Sequence, residues 1–194
     1  ASHAWYVLAD ISAPAGSKDH LEAALAQAFE SGLVQDAVLA TSGAQAAMLW
    51  ALRENVFEYN RIERAIYSSD TSVPLSRIGA FVTKVQQDLT GWEASLRVNC
   101  YGHIGDGNIH VNVFAAENTH KAFLECHPNA TTHIAHIIET ATVAFDGSIS
   151  AEHGIGRTKI ECLRRYADPT KLVMMRRIKE ALDPNGILNP GALF

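Results

Sequence analysis

Residues 101–113 read Tyr-Gly-His-Ile-Gly-Asp-Gly-Asn-Ile-His-Val-Asn-Val, two short alternating runs of apolar and polar residues that meet at Asp-Gly. Asp-Gly between such runs is the strongest short-range signal for a β-hairpin. Both central positions of a type I′ turn need positive φ, which Gly adopts freely and Asp tolerates. A two-residue turn at Asp106-Gly107 pairs residue 105 with residue 108. This register predicts that His103 lies opposite His110.

Period-two alternation divides the predicted hairpin into a polar face and an apolar face. The polar face carries Asn99, Tyr101, His103, His110 and Asn112, and the apolar face carries Val98, Cys100, Ile104, Ile109, Val111 and Val113. Directly paired side chains of an antiparallel ladder have Cβ atoms about 4.5–5.5 Å apart, close enough for two imidazoles to share one metal ion. An ordinary pair of surface histidines is the alternative, and the spacing alone leaves both open.

The chain around the hairpin alternates between helical and strand-like patterns, which predicts an α+β fold. Residues 4–11 and 35–40 have strand composition and flank an amphipathic helix that ends at Gly32, as in a βαβ or split-βαβ unit. Further helical periodicity covers 44–67, 74–91, 134–145 and 168–182, and residues 148–152 alternate like a strand. We therefore predict one domain, residues 1–194, with helices packed on one side of a mainly antiparallel, ferredoxin-like sheet.

The composition is that of a globular protein, with 47% apolar and 19% charged residues in a chain of 194. A formal charge of -5 without a basic stripe argues against nucleic-acid binding. Three widely spaced cysteines without a Cys-x-x-Cys pattern suit reduced thiols. No run reaches the roughly 18–20 apolar residues of a membrane span. We expect a cytoplasmic protein and leave open whether it lies at a membrane surface.

Glu152 is the best candidate in this sequence for a third metal ligand. It lies at the end of a strand-like run beside glycines, where the backbone can approach closely and a side chain can be aimed into a cleft. A solvated loop carboxylate is the alternative. His153 would be a base beside the metal, with an ordinary loop histidine as its alternative.

A metal beside a base suits two reactions. Zinc-bound water with its pKa lowered to about 7 would serve a hydrolase, whereas a metal that holds a 2-hydroxy acid would ease removal of the hydroxyl proton. The residues do not choose between these reactions, or between them and a metal-binding module without catalysis.

Three motifs resemble a known family in their residues and in their order. They are Gly-His-Ile-Gly-Asp-Gly-Asn-Ile-His at 102–110, Ser-Ala-Glu-His-Gly-Ile-Gly at 150–156 and Asp-Pro-Asn-Gly-Ile-Leu-Asn-Pro-Gly at 183–191. Together they resemble the C-terminal substrate, or cap, domain of the FAD-linked 2-hydroxy-acid dehydrogenases and oxidases, which include D-lactate, D-2-hydroxyglutarate and glycolate dehydrogenases. The resemblance covers essentially the whole chain. It implies metal-assisted oxidation of a D-2-hydroxy acid to the 2-oxo acid, with FAD bound mainly by an N-terminal domain.

The resemblance also implies roles for single residues. They are a divalent metal site, usually zinc, at His103, His110 and Glu152; substrate contacts at Arg53 and Asn112; a general base at His153; and a cofactor contact at Asn189.

Two departures from the family pattern carry expectations. Members that act on hydroxydicarboxylates tend to have a lysine where this chain has Ser68, two residues before Asp70 of the Asp-x-Ser-x-Pro run. We therefore expect a monocarboxylate substrate such as D-lactate. The chain also lacks the flavin-binding domain and does not begin with Met, so we expect an excised domain or processed product that is inactive alone. The electron acceptor and homodimer formation stay open.

Overall fold

The computed structural model describes residues 3–11 and 18–194, and the chain divides into two compact units, Ala1–Tyr59 and Asn60–Phe194. The first unit contains helices α1 (Lys18–Glu30) and α2 (Gly43–Glu54) and the start of α3 (Val56–Ile62). The division does not test whether the chain forms one domain, and that prediction stays a prediction.

The strands predicted at residues 4–11 and 35–40 are wrong, and with them the βαβ opening. Both segments lack regular secondary structure. Large apolar side chains of the two segments, including Trp5, Val7 and Val38, are exposed. High β-propensity reflects how well a side chain fits a pleated, half-buried surface, and these segments have no such surface to join.

In the described part of the second unit, four strands form one antiparallel sheet around β4. The strands are β1 (Tyr67–Ser68), β2 (Thr71–Ser72), β3 (Arg97–His103) and β4 (Asn108–Phe114). Strand β3 pairs with β4 along its whole length. Both β1 and β2 pair with β4 in one shared register, Tyr67 with Val113 and Thr71 with Ile109. They are therefore two pieces of a single edge strand that is interrupted at residues 69 and 70.

The hairpin register differs from the predicted one by two residues. His103 pairs with Asn108 instead of His110, and His110 pairs with Tyr101. The turn spans four residues because Asp106 Oδ1 accepts a hydrogen bond of 2.9 Å from the Asn108 N–H, and Val73 N donates to Gly107 O at 3.1 Å. Neither contact could be read from the local alternation. A slip by an even number of residues leaves each side chain on its predicted face.

The apolar face of the hairpin forms the core with two helices, as predicted. Helices α4 (Ile78–Trp92) and α6 (Ala130–Ala144) pack against it. The shared core consists of Phe81, Val82, Val85, Leu89, Ile109, Val111, Val113, Ile134 and Ile138, among others. Ile104 is an exception to the predicted face, because the wider turn leaves it 69% exposed. The α+β fold class is confirmed.

The remaining helices of the second unit are α5 (His120–Cys126), α7 (Ile160–Tyr166) and α8 (Pro169–Leu182), and a short 3-10 turn, Leu75–Arg77, precedes α4. The helix predicted over 44–67 is two helices and strand β1, with Asn55 capping α2. The strand predicted at 148–152 is a single bridge between Ser72 and Ser148. Among the described residues, no helix is both long enough and apolar enough to cross a bilayer.

Candidate functional site

His110 lies at the middle of the polar face of β4. Its Nδ1 is 3.3 Å from the carbonyl oxygen of Ser69, and its ring centroid is 5.0 Å from that of Tyr101 and 6.3 Å from that of His153. A carbonyl oxygen can only accept a hydrogen bond, so Nδ1 carries the ring proton in this contact. The Nε2 lone pair is then free to bind a metal ion or to accept a proton.

The segment that carries Glu152 and His153 is held against the interrupted edge strand. Ser72 and Ser148 exchange two backbone hydrogen bonds of 3.0 and 2.8 Å, and Ala151 N donates to Asp70 O at 3.3 Å. Gly154 and Gly156 have φ of +68° and +54° and turn the chain away from the sheet after His153. The local fold thus brings two residues from late in the sequence beside a strand that precedes them by some 80 positions.

Asp70 is the residue that fixes this segment, and its role was missed in the sequence. Its side chain is 3% exposed, and Oδ2 accepts hydrogen bonds from the backbone N–H groups of Glu152 (3.1 Å) and His153 (2.9 Å). Burial by itself raises the pKa of Asp70, but these two hydrogen bonds and the nearby Lys159 and His153 charges lower it below its usual value. From the sequence, Asp70 is identified only as the first residue of the Asp-x-Ser-x-Pro run.

The Glu152 carboxylate is also contacted by the hairpin. Asn108 Nδ2 donates a hydrogen bond to Glu152 Oε1, and Asn108 Oδ1 is buried without a hydrogen-bond partner. Because a carboxylate can only accept here, the contact fixes which way the Asn108 amide points. Asn108, which the sequence predicted only as the strand residue that follows the turn, therefore links the two parts of the site.

Metal-type donor groups meet at Glu152. Among the described residues, two sets have donor atoms within 4.8 Å of one another, namely Asp70 with His110 and Glu152, and His103 with Asp106 and Glu152. The predicted trio of His103, His110 and Glu152 is split between them, because the register slip moves His103 away from His110. Imidazole nitrogens and a carboxylate oxygen fit a divalent ion such as zinc. His103, His110 and Glu152 stay predictions as ligands, with Glu152 common to both sets.

Two of the three cysteines are buried thiols. Burial raises the pKa of Cys100 on β3 and of Cys162 on α7 to about 12. This favours the neutral thiol over the reactive thiolate at both positions. All three cysteines are free.

The other predicted residues are Arg53, Asn112 and Asn189. Arg53 is half-buried on α2 in the first unit. Asn112 follows His110 on the same face but is only 2% exposed, and its Nδ2 donates to Asn99 O at 3.4 Å. Asn189 has φ of +48° in the C-terminal turn, where its Oδ1 accepts a hydrogen bond of 3.4 Å from Arg157. Of the seven predicted residues, the geometry gathers His103, His110, Glu152 and His153.

Comparison with known proteins gives one family and several relatives. The family described as FAD linked oxidases, C-terminal domain, matches residues 1–193. The D-2-hydroxyglutarate dehydrogenase of Xanthomonas citri pv. viticola is 39% identical over 196 residues, which covers 99% of this chain and 40% of that protein. The mitochondrial D-2-hydroxyglutarate dehydrogenases of Arabidopsis thaliana and Bos taurus are each 37% identical, covering 97% and 96% of this chain but 32% and 33% of those proteins. The chain thus spans two fifths or less of the length of these relatives.

Proposed function

The chain belongs to the family of FAD linked oxidases, C-terminal domain, and from this premise we propose that it is the substrate-side part of a dehydrogenase that oxidises a D-2-hydroxy acid to the 2-oxo acid. The observation that carries the proposal is the placement of His153 and Glu152 on one anchored segment beside His110. This cluster combines a base with metal-type donors. Family membership favours oxidation over the hydrolase alternative, which would use the same donors.

His153 is the base in this proposal. Its side chain is 66% exposed, while its Nδ1 lies 3.5 Å from Asp70 Oδ2. Nε2, the ring nitrogen that does not face Asp70, would take the hydroxyl proton of the acid. FAD, bound mainly by an N-terminal domain, would accept the hydride from the carbon that bears this hydroxyl group.

His103, His110 and Glu152 would hold a divalent ion, for which their donor atoms suit zinc. When bound, such an ion polarises the hydroxyl and carboxylate oxygens of a 2-hydroxy acid. Asn108 restrains the Glu152 carboxylate from the hairpin side. Arg53 would grip the substrate carboxylate, Asn112 would orient the substrate and Asn189 would contact the flavin. These roles rest on family membership alone.

The ligand assignment is tested by His110→Ala in the complete flavin-containing protein. We expect the bound metal to be lost and kcat/KM to fall by more than about 100-fold, since loss of even an outer partner of a ligand costs about 10–100-fold. Metal content by mass spectrometry and steady-state turnover are the measurements. His136→Ala, which removes an exposed histidine of α6, is the control and retains both. Unchanged metal content and turnover in His110→Ala would contradict the assignment.

The substrate class is proposed from Ser68. Ser68 lies opposite Asn112 in the β1–β4 pairing, so both residues project from one face of the sheet. A short neutral hydroxyl there cannot form a salt bridge with a second carboxylate, which favours a monocarboxylate such as D-lactate. The relatives, named for D-2-hydroxyglutarate, favour that dicarboxylate as the second candidate.

The two substrates are separated by Ser68→Lys in the complete protein. A hydrogen bond to a charged group contributes about 1.5–3 kcal/mol. We therefore expect the kcat/KM ratio of D-2-hydroxyglutarate to D-lactate to rise about tenfold or more in the variant. Ser95→Lys, at an exposed position before β3, is the control for added charge. A wild-type protein that already prefers D-2-hydroxyglutarate would contradict the monocarboxylate assignment.

We also propose that residues 1–194 alone do not turn over the acid, because the acceptor site belongs to the other part of the protein. Turnover by this fragment with added FAD would contradict this.

A further inference from the structure

We propose that Asp70 is a positioning residue that fixes both the backbone and the ring tautomer of His153. The inference deepens the proposed function, because it assigns the group through which the base is oriented. Its geometric part holds whichever substrate the protein takes.

Asp70 occupies the break in the edge strand. Tyr67 pairs with Val113 and Thr71 with Ile109 in one register, so the same register brings position 70 opposite His110. The donor atoms of Asp70, His110 and Glu152 lie within 4.8 Å of one another, which confirms that Asp70 is close to His110. The break frees the backbone carbonyl of Asp70 to accept from Ala151 N at 3.3 Å. Asp70 is therefore the point where the sheet meets the segment that carries the base.

The Asp70 carboxylate holds His153 in two ways. Oδ2 accepts the N–H of His153 at 2.9 Å, together with the preceding N–H of Glu152 at 3.1 Å, which fixes the backbone. The same oxygen is 3.5 Å from His153 Nδ1. A carboxylate favours a protonated nitrogen on the side that faces it, so the neutral ring carries its proton on Nδ1 and keeps the lone pair on Nε2.

The surroundings of Asp70 suit an anchor better than a metal ligand. Two backbone N–H groups already donate to Oδ2, and Lys159 Nζ lies 3.6 Å from the same oxygen and balances its charge. Lys159 is itself held, because Nζ donates to Ile149 O at 3.0 Å and to Asp70 O at 3.4 Å. A buried carboxylate with a paired charge and satisfied hydrogen bonds does not need a cation.

The chain offers a matched control in Asp183. Asp183 is also buried, accepts from two consecutive backbone N–H groups, those of Ile187 and Leu188, at 2.9 Å each, and pairs with Lys179. It lies in a different turn of the chain, at the C-terminal end of α8. Asp183→Asn therefore removes the same kind of anchor without touching the base.

The test without substrate is the ring nitrogen spectrum of His153 in the complete protein labelled with ¹⁵N-histidine. The resonances are assigned by their absence in His153→Ala. We expect the wild-type neutral ring to carry its proton on Nδ1, and Asp70→Asn to move the proton population toward Nε2, which free histidine prefers. Asp183→Asn should leave the His153 resonances in place. A wild-type ring protonated on Nε2 overturns the proposal even if Asp70→Asn does not fold.

The kinetic test uses a double-mutant cycle in the same protein. We expect Asp70→Asn to lower kcat about 10–100-fold with a smaller change in KM, and to lower it much less when His153→Ala is already present. Full additivity of the two effects overturns the proposal. Complete loss of metal from Asp70→Asn with unchanged ring resonances also overturns it, in favour of a ligand role. A wild-type protein that oxidises no 2-hydroxy acid refutes the proposed function instead, and the ring spectrum still decides the role of Asp70.

Discussion

The two halves of the site are held by different means. The hairpin places His110 through a continuous ladder between β3 and β4 whose other face is buried against α4 and α6. The segment with Glu152 and His153 has one bridge to β2, and individual side chains, those of Asp70, Lys159 and Asn108, hold it as well. The difference teaches that a hairpin side chain can be exchanged with local effect, whereas the placement of Glu152 and His153 depends on a few distant groups.

The largest effect is expected from removing the proposed base, His153, from the segment that Asp70 holds. His153→Ala in the complete protein should lower kcat about 10²–10⁴-fold, the usual contribution of a positioned general base. Bound metal should persist, because the metal-type donors are on other residues. Pre-steady-state flavin reduction measures the first effect and metal analysis the second. Retention of most of the flavin-reduction rate would remove His153 from the mechanism.

The hairpin that carries His110 should lose stability only when the hydrogen-bond ladder between β3 and β4 is disturbed. A β-carbon at Gly102 would lie 1.9 Å from the Asn108 carbonyl oxygen across the hairpin, so Gly102→Ala forces the strands apart. Such overpacking costs about 1–3 kcal/mol of unfolding free energy. Gly105→Ala, in the turn of the same hairpin with nothing within 4 Å of the added carbon, is the matched control and changes stability by less than about 0.5 kcal/mol. Denaturant titration compares them, and equal losses would mean that the ladder is not the source of rigidity.

The smallest effect concerns the side-chain link between the halves. Asn108→Ala removes the hydrogen bond to Glu152 Oε1 and should weaken metal binding about tenfold, as loss of a ligand's outer partner does. Asn99→Ala serves as the control, because it removes an exposed amide on β3 from the face of the hairpin that carries Asn108. Competition with a chelator gives the dissociation constants. An Asn108→Ala protein with wild-type affinity would show that the two halves are independent.

The same contrast explains what could be predicted from the sequence. The two faces of the hairpin follow from local alternation, and the core residues Val111 and Val113 were predicted correctly. The register was not, because it depends on how Asp106 and Val73 close the turn. The strand predicted at residues 4–11 was wrong because composition does not reveal whether a partner strand exists. Asp70 escaped notice because its partners lie 82 and 83 positions later in the chain.

The interrupted edge strand also sets an order of assembly. The hairpin needs only contacts between residues close in sequence, and it can form early. The segment with Glu152 and His153 forms hydrogen bonds with Asp70, which lies between β1 and β2. These hydrogen bonds cannot form until β1 and β2 are paired in register with β4. During synthesis the contacts of Asp70 with this segment cannot form before the ribosome has released the chain to about Lys159. The latest contacts to form are those that place the proposed base.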